Sequence, residues 1–225
     1  MSTAELDTVL LDVDGTLIDS TYHHALAWHR AFARHDVWIP VWRLHRAIGM
    51  GGDRLVPAVA GDDIEKRLGN ELRDAEKREY DQLLPEVRAF ARAEALIAEL
   101  HERGWLVALA SSGQKDHTRA AIDLLGGEGP LDGWTSAQDA ESSKPAPDIL
   151  LAALQRVGGH AAVCVGDSTY DVQAAAAAGW ACLGVRTGGF GVAELKEAGA
   201  VQVFEDVADL LDHLDDTPLV SPSRK

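Results

Sequence analysis

The chain has 225 residues, of which 36 are acidic and 21 are basic, and its formal net charge is −15. So acidic a chain is poorly suited to bind nucleic acid or an anionic membrane surface, because both need clustered positive charge. No apolar run approaches the roughly 20 residues of a membrane-spanning helix, and the first residues lack the basic and then apolar pattern of a secretion signal. Two cysteines, both in apolar stretches, argue against a disulfide framework and favour a cytoplasmic location.

In chain order, short aliphatic segments alternate with helical patterns. The predicted strands cover residues 8–13, 106–110, 161–165, 181–185 and 201–204, and the predicted helices between them cover residues 88–103, 147–157 and 170–178. Continuous apolar strands that alternate with helices are typical of a parallel sheet covered on both faces. The sequence therefore predicts an α/β fold, a Rossmann-like doubly wound parallel sheet.

Residues 19–88 interrupt this alternation and differ in composition. They hold 11 basic and 12 acidic side chains, so they carry almost none of the net charge of the chain. Helical patterns at 21–34 and 64–84 flank a glycine-rich loop at 48–53, and no strand pattern lies between them. We therefore predict an all-α cap domain at 19–88, inserted into an α/β core formed by residues 1–18 and 89–225.

Two further expectations concern packing. Trp28, Trp38 and Trp42 are interpreted as core residues of the helical insert. Residues 217–225 are expected to form a flexible tail, because chain termini of this polar, proline-containing composition are commonly frayed.

The first predicted strand ends in polar residues, at the edge where ligands bind in an open parallel sheet. The run Asp12-Val13-Asp14-Gly15-Thr16 places two carboxylates two residues apart at the strand end. Gly15 permits a sharp turn and lets backbone amides approach an anion. A solvated Asp-Gly turn would explain the glycine alone, but the paired acids favour a functional site.

Two later strands also end in polar groups. Ser111-Ser112-Gly113 offers a hydroxyl and free amides that suit a phosphate oxygen. Asp167 and Asp171 lie four residues apart at the start of a helix, where they could hold Mg²⁺, which prefers oxygen ligands. Capping of that helix by Asp167 is the alternative explanation.

These motifs, with Lys144 in a Lys-Pro pair before a helix, occur in an order that resembles the haloacid-dehalogenase-like (HAD) superfamily of phosphohydrolases. The resemblance covers about Thr8 to Phe204, and the insert is similar to the C1-type cap of the phosphoglycolate phosphatase and β-phosphoglucomutase subgroup. It implies a Mg²⁺-dependent phosphatase that acts on a small phosphorylated metabolite through an aspartyl-phosphate. Neither nucleic acid nor membrane is an expected partner, and the chain is expected to be a monomer or a homodimer.

The resemblance also implies roles for the core residues. Asp12 would be the nucleophile, and Asp14 would donate and then accept a proton. Ser111 would bind a phosphoryl oxygen, and Lys144 would neutralise charge on the nucleophile and the phosphoryl group.

The implied Mg²⁺ ligands are Asp12, the main-chain carbonyl of Asp14, and Asp167. Asp171 would lie behind these ligands and orient Lys144 or a metal-bound water. The remaining residues expected to bind substrate or phosphate are Gly15, Thr16, Ser112, Gly113, His24, Gly51 and Arg54.

Two alternative functions stay open. The related mutases carry an arginine that holds a second phosphate, but Gly52 occupies that place here and Arg54 lies two residues on. A non-catalytic binding protein on the same fold would normally have lost the nucleophile or a metal-binding acid, and neither is lost. His45, Arg46 and Arg54 flank the glycine loop and could either bind a charged substrate group or form an exposed helix face.

Overall fold

The computed structural model describes residues 6–222 and contains a parallel sheet of six strands. The strands are β1 (Leu6–Leu11), β2 (Leu106–Ala110), β3 (Gly133–Thr135), β4 (Ala161–Gly166), β5 (Ala181–Val185) and β6 (Gln202–Phe204). Their order in the sheet is β3-β2-β1-β4-β5-β6. The order reverses between β1 and β4, and ligands bind at such a switch point, beyond the carboxyl ends of the strands.

Ten α-helices lie among the described residues. They are α1 (Thr21–Arg34), α2 (Val41–His45), α3 (Gly52–Ala60), α4 (Asp62–Leu83), α5 (Ala93–Glu102), α6 (Lys115–Leu124), α7 (Asp148–Val157), α8 (Thr169–Ala178), α9 (Val192–Ala198) and α10 (Val207–Asp212). Within residues 6–222, no helix combines the length and the apolar composition that crossing a membrane would require.

Both faces of the sheet are buried. Val9 and Leu11 of β1 belong to one apolar cluster, whereas Leu10, between them, belongs to a second cluster on the opposite face. This alternation explains why the strands are apolar throughout, since side chains on both faces of a doubly covered sheet are buried. The predicted α/β doubly wound fold is confirmed. Strand β3 was not predicted, because three residues are too few to carry a periodic pattern.

The two segments that lead into and out of the insert (residues 19–88) pair with each other. Ile18 and Ala89 form an antiparallel bridge, the Asp19 amide donates to the Arg88 carbonyl at 2.8 Å, and the Phe90 amide donates to the Leu17 carbonyl at 2.9 Å. This pairing holds residues 88–90 extended. The prediction of a helix from residue 88 is therefore wrong at its start, and α5 begins at Ala93.

The four helices of the insert enclose an apolar cluster of their own. Trp28 is only 6% exposed and belongs to it, as predicted. Trp38 and Trp42 are 73% and 67% exposed, so the prediction that they are core residues is wrong. The five residues of α2 bury only Leu44, so Trp42 on this helix, and Trp38 shortly before it, keep their indole rings in solvent.

The segment after α10 is packed against the core. Leu219 is fully buried, and the Trp105 indole N–H donates to its carbonyl at 3.2 Å. Thr217 is also buried. The prediction of a flexible tail is thus wrong for residues 217–219, where an apolar side chain fills a gap beside β2. Residues 223–225 lie outside the described part of the chain.

Candidate active site

Asp12 lies at the switch point of the sheet. Its amide donates to the Val165 carbonyl at 2.9 Å, which extends the pairing of β1 and β4 by one residue. Gly15 then reverses the chain at φ +85°. The turn brings the Thr16 hydroxyl to 3.2 Å from Asp12 Oδ2 and to 3.0 Å from Asp167 Oδ1. Residues from the first and fourth strands therefore share one site.

Lys144 is buried and ion-paired beneath these acids. Its Nζ lies 2.5 Å from Asp12 Oδ1 and 2.7 Å from Asp171 Oδ1, and it also donates to the Ala110 carbonyl at 3.1 Å. Burial by itself would lower the pKa of Lys144, but the charges of Asp12 and Asp171 outweigh burial and raise it. The ammonium group therefore stays charged at neutral pH.

The acids repel one another despite this lysine. Burial raises the pKa of Asp12 to about 6, with a smaller opposing effect of Lys144 and a further increase from Asp171. Burial, together with the charges of Asp171 and Asp12, also raises the pKa of Asp167 well above its usual value. The single positive charge of Lys144 does not offset the negative charges of Asp12, Asp167 and Asp171.

The same group of acids fits a divalent cation. Oxygen atoms of Asp12, Asp167 and Asp171 lie within 4.8 Å of one another, and hard cations such as Mg²⁺ are held by carboxylate oxygens. Asp171 is already engaged, because its second oxygen accepts hydrogen bonds from the Ser168 amide and hydroxyl at 3.0 and 2.6 Å. Asp12 and Asp167 are therefore the side chains best placed to bind the metal directly.

Glycines keep the space around Asp167 open. A Cβ atom at Gly188 would lie 1.7 Å from Asp167 Oδ2, and one at Gly15 would lie 2.6 Å from the same oxygen. No larger residue could stand at either position without moving this carboxylate. Gly188 and its neighbour Thr187, whose hydroxyl donates to the Gly15 carbonyl, were missed in the sequence. A Thr-Gly-Gly run that begins two residues after the end of a predicted strand was the available signal.

Asp14 belongs to a second, partly separate network. Its Oδ1 accepts a hydrogen bond from the Ser20 hydroxyl at 2.6 Å and lies 3.2 Å from His24 Nε2. The other ring nitrogen of His24 is 2.9 Å from Glu76 Oε1, and the ring stacks on Tyr80 at 3.8 Å.

The charges in this network fix its protonation. Burial would lower the pKa of His24, but Asp14 and Glu76 outweigh it and raise the pKa to about 10. Burial would likewise raise the pKa of Asp14, yet the charge and hydrogen bond of His24 lower it. At neutral pH the imidazolium therefore lies between two carboxylates. Glu76 was missed in the sequence, although an acid on the buried stripe of α4, four residues after Leu72, was a usable signal.

The segment after β2 supplies hydrogen-bonding groups. The Ser111 hydroxyl accepts from the Gly113 amide at 3.0 Å and is buried. The Ser112 hydroxyl is buried without a hydrogen-bond partner among the described residues. A Cβ atom at Gly113 would stand 3.4 Å from Asp14 Oδ2, so this segment lies beside an acid that follows β1.

A cavity of about 280 Å³ lies between the insert and the sheet. Six of the residues predicted to form the site line it: Asp12, Asp14, His24, Gly51, Ser112 and Gly113. Arg54 does not; its side chain is half exposed and contacts Ser142 at 3.4 Å and Asp53 at 3.8 Å. Arg73 of α4 lines the cavity instead. Helical periodicity alone did not single out Arg73 among the many charged residues of α4.

The residues that flank the glycine loop hold the insert against the core. His45 Nε2 lies 2.9 Å from the Gly188 carbonyl, and the Arg46 guanidinium stacks on the ring of Phe190 at 4.0 Å. Neither side chain lines the cavity. His45 and Arg46 thus join the insert to the segment after β5.

The other side of the glycine loop contacts the segment before α7. The Gly51 amide donates to the Ser143 hydroxyl at 3.1 Å, and that hydroxyl donates to Asp53 Oδ1 at 2.5 Å. Ser143 directly precedes Lys144, so this contact joins the insert to the segment that carries the buried lysine.

The fold and the site together define a class of protein. A doubly wound parallel sheet carries buried acids, a buried lysine and a cavity at its switch point, which is where α/β enzymes bind and transform small ligands. Comparison with known proteins narrows this class. A family model described as haloacid dehalogenase-like hydrolase matches residues 6–179, and the chain belongs to that family. The resemblance seen in the sequence is thereby confirmed.

The chain is similar both to a phosphatase of about its own length and to part of a much longer protein. The chain is 27% identical over 211 residues to a phosphoglycolate phosphatase of Pasteurella multocida, covering 89% of this chain and 94% of the relative. It is 29% identical over 215 residues to the chloroplastic protein SUPPRESSOR OF QUENCHING 1 of Arabidopsis thaliana. That match covers 92% of this chain but only 20% of the relative.

Solved structures agree with the fold. A hydrolase from Pseudomonas syringae matches with a TM-score of 0.88 and 30% identity, covering 93% of this chain and 98% of that one. A putative β-phosphoglucomutase from Bacteroides vulgatus matches with a TM-score of 0.82 and 22% identity, covering 95% and 89% of the two chains. The second likeness concerns the fold alone.

Proposed function

We propose that this hydrolase is a Mg²⁺-dependent phosphatase that hydrolyses a small phosphomonoester through an aspartyl-phosphate on Asp12. The observation that carries the proposal is the setting of Asp12. Lys144 and Thr16 fix its carboxylate, and Asp14 lines the same cavity. The names of curated relatives, a phosphoglycolate phosphatase among them, support the reaction type.

Asp12 would attack phosphorus with one carboxylate oxygen while the alcohol leaves on the opposite side. Lys144 holds the attacking group in place and offsets the repulsion between carboxylate and phosphate. Mg²⁺, held by Asp12 and Asp167, would supply further positive charge to the phosphoryl oxygens when bound. The Ser111 hydroxyl and the unpartnered Ser112 hydroxyl are available to phosphoryl oxygens.

Asp14 would act as general acid and base for the leaving alcohol. At neutral pH the proton that it donates is held on His24, whose Nε2 lies 3.2 Å from Asp14 Oδ1. Asp14 would take the proton from His24 and pass it to the leaving oxygen, and would later accept one from the water that attacks the aspartyl-phosphate. Glu76 orients His24 for this role through its hydrogen bond to the other ring nitrogen.

The insert would act as a cap that excludes water and selects the leaving alcohol. Support comes from its contribution to the cavity wall, which includes Trp28, Gly51 and Arg73. A cavity of about 280 Å³ suits a small metabolite. A cytoplasmic location agrees with the two buried free cysteines.

A phosphate-release screen over small phosphomonoesters, in Mg²⁺ and in chelator, tests the proposal. We expect release in Mg²⁺, its loss in chelator, and its loss in Asp12→Asn. Asp74→Asn is the matched control, because Asp74 is exposed on α4. Activity that survives the chelator, or that persists undiminished in Asp12→Asn, would refute the mechanism.

A further inference from the structure

The cavity wall is predominantly acidic away from the reacting groups. Besides Asp12 and Asp14, the lining includes Asp53, Glu76 and Glu141. Asp53 is held by Ser143, whereas Glu141 is exposed and makes no hydrogen bond or ion pair with the described residues. An additional negative charge on a ligand would therefore lie close to like charges.

The basic side chains that line the cavity are His24 and Arg73. Both ring nitrogens of His24 are engaged by the carboxylates of Asp14 and Glu76. Arg73 is therefore the side chain on which recognition of an anionic leaving group would depend.

Arg73 is already neutralised within the insert. Its two terminal nitrogens lie 3.0 Å from the two carboxylate oxygens of Glu65 in a bidentate pair. The same nitrogens donate to the Gly52 carbonyl at 3.2 Å and to Asn70 Oδ1 at 2.9 Å. All four terminal N–H groups of the guanidinium are thus used by the protein itself.

Gly69 provides the space for this ion pair. It lies inside α4, where glycine is unfavourable compared with alanine. A Cβ atom there would lie 2.5 Å from Glu65 Oε2 and 2.6 Å from Glu65 Cδ. Because Gly69 has no side chain, the Glu65 carboxylate can extend along the helix toward Arg73.

The rest of the wall offers apolar surface to a carbon skeleton. Trp28, Ile48, Met50 and Ile149 line the cavity. Resting on the proposed phosphatase function, we infer that the alcohol released at this site carries no anionic group. It is an uncharged or positively charged hydroxylated compound, whose hydroxyl or ammonium hydrogens are accepted by Glu76 and Glu141. A carboxylate or a second phosphate would meet these acids, while the guanidinium in the described cavity wall, that of Arg73, is already paired with Glu65.

Phosphomonoesters of equal carbon number that differ in the terminal group of the alcohol, and so in its charge, test this inference. The two-carbon set is phosphoglycolate, 2-hydroxyethyl phosphate and O-phosphoethanolamine, and the six-carbon pair is gluconate 6-phosphate and sorbitol 6-phosphate. With the complete chain in Mg²⁺, we expect kcat/KM for each carboxylated ester to be at least about tenfold below its uncharged counterpart. A preference for the carboxylated ester in either set would overturn the inference.

Glu65→Gln tests the role of the ion pair. It leaves the Arg73 charge uncompensated, so we expect the ratio of kcat/KM for phosphoglycolate to that for 2-hydroxyethyl phosphate to rise about tenfold. Glu71→Gln, an equal change of charge at an exposed position of the same helix, should leave the ratio unchanged. Gly69→Ala should shift the ratio in the same direction, because its Cβ displaces the Glu65 carboxylate.

Thermal unfolding of each variant separates a change in specificity from a loss of fold. If folded Glu65→Gln shows the wild-type ratio, the Glu65–Arg73 pair does not set the preference and the inference is wrong. Hydrolysis of p-nitrophenyl phosphate distinguishes failure of the inference from failure of the proposed function. If the wild-type protein in Mg²⁺ hydrolyses neither this ester nor any of the others, the proposed function fails and the inference fails with it.

Discussion

Replacing the proposed nucleophile should make the metal-free protein more stable. Burial and the neighbouring acids raise the pKa of Asp12 from 3.8 to about 6. Each pH unit by which a pKa moves corresponds to about 1.4 kcal/mol. Keeping Asp12 ionised at neutral pH therefore costs about 3 kcal/mol. Asp12→Asn removes this cost, so its free energy of unfolding in chelator at pH 8 should exceed that of the wild type by about 3 kcal/mol.

The pH dependence follows from the sign of the shift. Because the pKa is raised in the folded state, the neutral carboxyl favours folding below about pH 4. That contribution is lost as the pH rises through about 6. The two proteins should therefore be equally stable in acid, and the difference should open between pH 4 and 6.

Thermal unfolding in chelator measures this difference. For a chain of this size, about 3 kcal/mol corresponds to an increase in Tm of roughly 6–12 °C. Adding Mg²⁺ should raise the Tm of the wild type more than that of Asp12→Asn, since only the wild type keeps both carboxylates for the metal. Asp74→Asn should behave as the wild type. If Asp12→Asn is the less stable protein in chelator at pH 8, the account of mutually repelling buried acids is wrong.

Three further outcomes follow from individual contacts. Lys144→Met should lower the free energy of unfolding by about 3–5 kcal/mol in urea titrations and abolish phosphate release, because it leaves buried acids without their cation. A variant as stable as the wild type would contradict this. Gly188→Ala should abolish Mg²⁺-dependent phosphate release, because its Cβ would displace the Asp167 carboxylate, while circular dichroism still shows a folded protein. Wild-type activity would show that the open space beside Asp167 is not needed. Leu219→Ala should cost about 2–5 kcal/mol in the same titrations, as a fully buried leucine; a change below about 0.5 kcal/mol would mean that this segment is not packed in solution.

The sequence was most informative where local chemistry and strand order act together. The run from Asp12 to Thr16 follows an apolar strand, and parallel strands bring their carboxyl ends to one edge of the sheet. The meeting of Asp12 and Asp167 was therefore predictable, although these residues are far apart in the chain. Lys144 follows no predicted strand, and its place beside Asp12 was implied only by the family resemblance.

The insert was less predictable because helical periodicity gives a buried face but no partner for it. Trp38 and Trp42 look like core residues by type, yet α2 is too short to bury them. Arg73, and not Arg54, reaches the cavity because the packing of α4 against α1 decides which charged residues face inward. Such packing between elements leaves no periodic signal in the sequence.

Trapping the covalent intermediate tests the central claim most directly. The complete chain would be mixed with p-nitrophenyl phosphate and Mg²⁺, quenched in acid and reduced with borohydride, which converts an aspartyl-phosphate to homoserine. We expect mass spectrometry of the digested protein to find homoserine at position 12, and Asp12→Asn to give none. Homoserine at another aspartate, or release of phosphate with no modification at position 12, would contradict the central claim.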